Sequence, residues 1–402
     1  MLLSMSGCMQ FRGYTYALRP TQDQADQMGR FAGVCRLVWN LALEQRRDHW
    51  RRYQAVTGDN LNYVAQAREL TLLRADVDFV REVSVTAQQR TLKALDEAYR
   101  RAWKGKGGYP RPKKKGVNDA FSFPGREVRV EKINRRWGRV KLPRIGWVRF
   151  RLTRPVEGDT REVTVTLTPL GWQLSIGCRI DRDTPDNGQT VGIDRGVTVP
   201  LMLSDGTGYS LPPEVEKRAK AARKAQHQLR NRMRGSNRWR KGMRRIAALK
   251  AREARARKHW AHVATTDVTR RFGGVVIERL RTKNMTASAA GTLDAPGRNV
   301  AQKRGLNRAI LNVGWHQVET MLLYKAARLV KVDPAYSSQT CASCWTVDSR
   351  SRKNQATFVC TACGHRDNAD RNAASVILHR GNTPGVEPSR WAGDEARTVQ
   401  VA

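Results

Sequence analysis

Cys341-Ala-Ser-Cys344 and Cys360-Thr-Ala-Cys363 place four thiols in two C-x2-C pairs separated by fifteen residues, and Asp370 stands seven residues after the last of them. Each pair can close a tight knuckle that aims both sulfurs at one ion, so two knuckles supply the four thiolates of a tetrahedral zinc site. Four thiolates leave no open position, and Zn2+ held by Cys341, Cys344, Cys360 and Cys363 is therefore expected to be structural. Chemistry must come from other residues. Two apolar runs end in acids, Val191-Gly-Ile-Asp194 and Gly273-Gly-Val-Val-Ile-Glu278, while Asp370 opens a helical run through Asn372-Ala-Ala-Ser-Val-Ile-Leu378. Carboxylates at two strand ends and one helix start can converge on a small volume, and three hard oxygen donors suit Mg2+ or Mn2+. With two such ions, one activates water and the other stabilises the leaving 3′ oxygen of a phosphodiester. That is nuclease chemistry, and it would suit an RNase H-like sheet. An acid at a strand end also commonly caps a helix or faces solvent, so spacing alone leaves both readings open.

The charge of the chain points to the substrate class. Its 402 residues carry 74 Lys and Arg against 36 Asp and Glu, a net +38 that would repel itself unless a polyanion neutralised it. Nucleic acid is the expected partner, bound with a steep salt dependence through released counterions, rather than a membrane or a small-molecule substrate. A ribosomal protein would show the same excess, so charge by itself does not indicate an enzyme. No window approaches the roughly 20 apolar residues of a membrane span, and the opening Met-Leu-Leu-Ser-Met-Ser-Gly-Cys is too short for a secretory signal. Seven cysteines, four of them in the ribbon, fit a reducing cytoplasm, with nucleoid association following from the partner. Cys35 and Cys178 read as buried small hydrophobes.

An α+β chain of several domains has to position these groups. Residues 1–18 supply a first strand, and Thr21 is a plausible cap for the helices that fill 19–104. Phe31, Val34, Val38, Leu41 and Leu43 form one apolar stripe, and Val85, Leu92, Leu95, Tyr99 and Trp103 another. Lys104 to Gly116 is a Gly/Pro/Lys linker whose Lys113, Lys114 and Lys115 are candidate phosphate contacts. Short alternating runs complete 105–187 and read as an antiparallel barrel or sandwich that the helical bundle interrupts. Residues 188–380 hold the acids, with the ribbon at about 336–366. A hairpin of strands ending near Ser204-Asp-Gly206 is followed by a long helical segment from Glu214 to Arg271, broken at Gly235-Ser236-Asn237. Its Arg232, Arg234, Arg238 and Arg240 lie in an arginine run with few acidic partners, which favours phosphate contact over a solvated face. Residues 280–304 read as loop, 306–328 as helix, 329–332 as strand, and 381–402 as a disordered tail.

Several of these segments, in this order, resemble the TnpB family, the OrfB-type nucleases of bacterial insertion sequences, and through it the RuvC portion of type V CRISPR effectors. The resemblance spans about residues 10–380. It lies in Tyr16-Ala-Leu-Arg-Pro-Thr, Cys35-Arg-Leu-Val-Trp-Asn-Leu-Ala-Leu and Tyr109-Pro-Arg-Pro-Lys-Lys-Lys. It continues in Val191-Gly-Ile-Asp-Arg-Gly-Val, Val276-Ile-Glu-Arg-Leu, Lys331-Val-Asp-Pro-Ala-Tyr-Ser-Ser-Gln-Thr-Cys and Arg366-Asp-Asn-Ala-Asp-Arg-Asn-Ala-Ala. The resemblance implies a β-barrel wedge domain for the alternating runs of 105–187, and an RNase H-like (RuvC) nuclease domain in which Asp194, Glu278 and Asp370 are the catalytic, metal-binding triad. Asp370 is preferred to Asp367 because it lies two residues before Asn-Ala-Ala. It also implies a guide RNA transcribed from the element's end, a short motif beside the target read by protein, and cleavage of double-stranded DNA matched to the guide. Pro112 stands where the family often has an aromatic residue, and 324–330 is a shorter stretch. Trp345 replaces the glycine that often follows the second thiol, from which a looser first knuckle is expected. A guided DNA-binding repressor without cleavage would need none of the three acids, and a strand-joining transposase would need a tyrosine nucleophile with a His-hydrophobe-His motif, which is not evident. A transposition accessory role is the remaining alternative.

Overall fold

A computed structural model describes residues 8–59, 61–182, 186–292 and 294–383, so the expected tail falls, from 384 onward, outside the described residues. The chain divides into two compact units at 182/183.

The first unit starts with β1 (Cys8–Arg19) and continues into α1 (Gln22–Arg52), α2 (Gln54–Thr57), α3 (Tyr63–Asp76), α4 (Asp78–Arg81) and α5 (Val85–Trp103). Thr21 caps α1 in a reciprocal box, its hydroxyl accepting from the Gln24 amide while the Gln24 side chain accepts from Thr21 N. Buried Phe31, Val34, Cys35, Val38, Ala42 and Leu43 give α1 one apolar face, and Leu92, Leu95 and Tyr99 do the same for α5. Leu41 is 44% exposed, because a face built on 35, 38, 42 and 46 leaves position 41 outside it. Val85 and Trp103, at the two ends of α5, are exposed as well.

The strands that follow are β2 (Ala120–Pro124), β3 (Arg129–Lys132), β4 (Trp137–Leu142), β5 (Gly146–Arg151), β6 (Asp159–Thr168) and β7 (Gly171–Arg182). With β1 they form one antiparallel sheet in the order β2-β6-β7-β1-β5-β4-β3. The first strand thus joins the later ones, and the helices are inserted between β1 and β2. No ladder among the described residues joins β2 to β3, so the pairing is that of an open sheet and does not establish the expected closed barrel. Pro124 ends β2 without an N–H to donate, which suits an edge. Its Ala-Phe-Ser-Phe-Pro alternation, with Phe121 and Phe123 buried, is a strand the runs expected from the sequence omit.

The second unit is built on β8 (Thr190–Asp194), β9 (Leu201–Leu203) and β10 (Gly208–Tyr209), then α6 (Pro213–Leu229) and α7 (Asn237–Arg271). It continues with β11 (Gly274–Glu278), α8 (Thr282–Met285), α9 (Val300–Val313), α10 (Trp315–Lys325), β12 (Arg328–Val332), β13 (Thr357–Val359), β14 (Arg366–Asn368) and α11 (Ala369–Asn382). The sheet order is β10-β9-β8-β11-β12, with β8, β11 and β12 parallel and β9 antiparallel to β8. Gly235 at φ +87° and Ser236, whose hydroxyl accepts from Trp239 N, make the expected break between α6 and α7. Three expectations shift, the first being that the segment expected as loop at 280–304 holds the short helix α8 and the start of α9 at Val300. The strand after Asp194 begins only at Leu201, and the helix expected at 306–328 is two helices parted by Gly314 at φ +76°.

Side chains of the parallel strands alternate between two layers. Val191, Ile193, Val275, Ile277 and Leu329 pack with α7 and α10, whereas Val276, Val330 and Val332 pack with Ile377 of α11. All five residues of β11 are buried, as a central parallel strand requires. Helix α11 comes unusually close: a Cβ on Gly192 would lie 2.1 Å from Ala374 O, and one on Gly381 would lie 2.4 Å from the Val276 side chain.

Candidate active site and zinc ribbon

Alternation decides where the strand-end acids go. Asp194 follows Gly192 by two residues and Glu278 follows Val276 by two, so both belong to the face covered by α11. Register places them side by side, since Ile277 is level with Ile193 on adjacent parallel strands. Asp370 occupies the first turn of α11, one turn before the Ala374 carbonyl that meets Gly192. Three acids far apart in sequence are thereby gathered at one end of the sheet.

Their electrostatics report the gathering. Burial pushes the Asp194 carboxyl up to about 7, and the negative charges of Glu278 and Asp370 push the same way, against Arg352. Burial also raises Glu278, opposed by the Ser337 hydroxyl and by the charges of Arg195 and Arg380. Ser337 Oγ donates to Glu278 Oε1 at 2.6 Å, and Arg352 Nη2 donates to Asp370 Oδ1 at 3.1 Å. Asp367 instead lies on β14 with Arg371 3.8 Å away. A buried carboxyl at Asp194 that also feels the negative charges of Glu278 and Asp370 gains from a hard divalent cation, and an oxygen-only donor set is the kind such an ion takes.

Among the described residues the four thiols are the one group of three or more His, Cys, Asp or Glu side chains whose ligand atoms all lie within 4.8 Å of one another; the three acids are more widely spaced. Cys341 and Cys363 Sγ are 3.7 Å apart, and Cys344 and Cys360 Sγ 3.6 Å. The edge of a tetrahedron with Zn–S bonds of 2.3 Å is about 3.8 Å, so the cluster fits zinc. The two knuckles close by the same main-chain bond, Trp345 N to Cys341 O at 3.0 Å and Gly364 N to Cys360 O at 3.1 Å, and Trp345 takes φ +63° and stacks its ring on His379 of α11 at 3.9 Å. Asn372, fully buried, donates to Thr340 O (2.8 Å) and accepts from Ala342 N (2.9 Å), clipping the first knuckle to α11. Ala369 packs with Cys341, Phe358 and Cys360. The ribbon therefore holds the helix turn that presents Asp370.

The basic candidates separate. Lys113 is turned inward, its ammonium 4.0 Å from the Trp39 ring centre and its acidity raised by burial, while Asn40 bonds both its N and O. Trp39 and Arg47 bond the Arg111 and Pro110 carbonyls, so this linker is strapped to α1. Lys114 and Lys115 are exposed. Arg232, Arg234, Arg238 and Arg240 are exposed around the α6–α7 turn, and none has a carboxylate within ion-pair reach among the described residues. Ser337, Arg352, Asn372 and Arg195 carry roles at the site that spacing did not single out. Arg195 directly follows an acid and Ser337 lies in the run before the ribbon, but nothing near Arg352 marks it.

A mixed sheet that gathers three acids, with a four-thiol ribbon clipped to the helix bearing the third, belongs to the class of Cas12-like folds. The solved structure described as the Cas12f1-sgRNA-target DNA complex superposes with a TM-score of 0.52 at 15% identity, covering 91% of this chain and 84% of that one. Three family descriptions match: “Probable transposase” (OrfB of IS605) at residues 165–289, “Cas12f1-like, TNB domain” at 315–377 and “Helix-turn-helix domain” at 9–55. “Putative RNA-guided DNA endonuclease InsQ” of Escherichia coli K12 is 35% identical over 379 residues, 92% of each chain. “Putative RNA-guided DNA endonuclease” of Streptomyces pristinaespiralis is 29% identical over 96% of this chain and 94% of that one. The chain belongs to the TnpB family of OrfB-type insertion-sequence proteins.

Proposed function

We propose that the protein is an RNA-guided, metal-dependent DNA endonuclease of an insertion sequence. It holds a guide RNA transcribed from the element's end, reads a short motif beside the target, and hydrolyses phosphodiester bonds of double-stranded DNA that pairs with the guide. The relatives' names support guide and target, and the carrying observation is the approach of Asp194, Glu278 and Asp370, with Asp194 pushed up to about 7 by burial first and by the charges of the other two second. The 3-2-1-4-5 strand order, with one antiparallel strand, supports reading the second unit as an RNase H-like (RuvC) nuclease domain. In the first unit, the helices of 19–104 are then the recognition bundle and the sheet is the wedge. Work on nucleic acid supports a location in the cytoplasm, beside the nucleoid.

Bound Mg2+ or Mn2+ would supply water activation and stabilisation of the leaving oxygen. Asp194, Glu278 and Asp370 are the residues that would hold it. Asp194 releases its proton to become a ligand, Ser337 orients Glu278, and Arg352 keeps a positive charge against Asp370. Zinc on the four thiols keeps shape and takes no part in the chemistry. Asp194→Ala should abolish guided cleavage with guide RNA still bound. Cleavage by the purified variant would sink the assignment, and a wild-type protein that binds guide and target without cutting would make it a guided repressor. Sequencing the RNA that copurifies from the host identifies the guide, and a screen of random flanks then gives the adjacent motif.

A further inference from the structure

The two strand-end carboxylates lie on the α11 side of the sheet. The opposite side carries an ion network, centred on one buried arginine and otherwise half-buried, that the proposed chemistry leaves unused. Arg195 is only 4% exposed and follows Asp194 directly. One arm of its guanidinium, Nη1, donates to Glu319 Oε2 of α10 at 3.0 Å, and the other, Nη2, donates to the main-chain oxygen of Glu278. Glu319 also meets Lys331 Nζ of β12 at 2.6 Å. One turn earlier on α10, Trp315 Nε1 donates to Gly196 O at 3.3 Å. Positions 315 and 319 share a helix face, so α10 grips both residues that follow Asp194. The ends of β8 and β11, together with β12, are tied to α10 through one guanidinium and one carboxylate.

Stability alone is a weak reason for this arrangement, because a packed apolar group often serves as well as a buried ion pair. What an apolar group or a lysine lacks is a planar fork that bonds a carboxylate and a carbonyl together. We infer that Arg195 is a positioning residue: by clasping the Glu278 main chain against α10 from the far side of the sheet, it fixes the separation of Asp194 and Glu278 before the divalent ion arrives. The inference rests on the reading of those acids as metal-holding. Groups that orient metal ligands change metal affinity or activity by about 10- to 100-fold when replaced.

Arg195→Lys keeps a charge opposite Glu319 and loses the second bond. In full-length protein loaded with guide RNA, its half-saturating Mg2+ concentration should rise about tenfold, with kcat at saturating Mg2+ changed less. Mn2+ titration of the full-length protein without nucleic acid, followed by electron paramagnetic resonance against an Asp194→Ala blank, should show the same weakening. Glu319→Gln, which leaves the Arg195 to Glu278 bond and removes the charge that anchors its other end, should give a smaller rise, and it carries the test if Arg195→Lys does not fold. Unchanged Mn2+ affinity in the folded variants overturns the inference, whether or not melting temperature or rate has fallen. Failure of the underlying reading looks different, because Asp194→Ala would then itself keep Mn2+ binding and cleavage.

Discussion

Removing one negative charge from the acid cluster should stabilise the metal-free protein. Asp194→Asn is the least disruptive way, since the amide keeps the shape of the carboxylate. Asp194 is held at about 7 against an ordinary 3.8. At about 1.4 kcal/mol per tenfold in proton affinity, that gap amounts to about 4 kcal/mol of strain in the ionised form. Between about pH 4 and 7 the folded chain keeps a proton that the unfolded chain has released, so stability falls as pH rises through that window and the loss is complete above it. The amide still has to be buried, so roughly half the strain, about 2 kcal/mol, should be recovered. For a folding unit of about 200 residues that is a rise in melting temperature of about 4–8 °C. Calorimetry in chelator at about pH 8 should show the variant melting higher, and at about pH 5 the difference should vanish because wild-type Asp194 is then protonated. Saturating Mg2+ should close or reverse the order, since a ligand at 100 times its Kd adds about 2.7 kcal/mol to the form that binds it. Equal melting in chelator at the higher pH, or a difference constant across both, would refute the reasoning.

Elemental analysis should find one zinc per chain, and stripping it or replacing Cys360 with Ser should abolish cleavage through loss of the Asp370 turn, with guide binding retained in part. Asn372→Ala leaves the Thr340 carbonyl and the Ala342 amide without their partner, which should cost about 2 kcal/mol or more in a thermal melt and reduce cleavage while zinc content holds. Gly192→Ala should lift α11 from β8 and lose cleavage before it loses guide binding, as separate gel-shift and cutting assays would show. Replacing Arg232, Arg234, Arg238 and Arg240 together by Gln should weaken guide binding and make its logarithmic salt dependence shallower by about three, four contacts at about 0.7 each.

Elements with a strong period or a punctuating residue were legible from the sequence. The Thr21 cap, the Gly235 break, the three acid-tipped elements and the thiol spacing each follow from local chemistry. Legibility failed where tertiary neighbours decide. Nothing in 306–328 favours a break except Gly314, and a lone glycine inside a helical pattern is ordinarily tolerated. Lys113 looked like its neighbours Lys114 and Lys115 until Trp39 and Asn40, seventy residues earlier, claimed it. Sheet closure is a matter of which edges meet, and alternation along single strands carries no information on that. At the site, the two strand ends and the helix start that carry the three acids were readable, but the groups that bond those acids come from loops and from the reverse face of the sheet. Arg195, Ser337 and Arg352 earn their places only through long-range contacts.

The clip between Asn372 and the first knuckle also sets an order in time. The acids come at 194, 278 and 370, and the last is fixed only after the ribbon has closed against α11. On the ribosome, the strapped linker and the arginine hairpin emerge long before that helix does. On the proposed function, a nascent or stalled chain can engage RNA while it still lacks the means to cut, and a finished chain short of zinc is in the same condition. The cell therefore meets the protein first as a binder and only later as a nuclease.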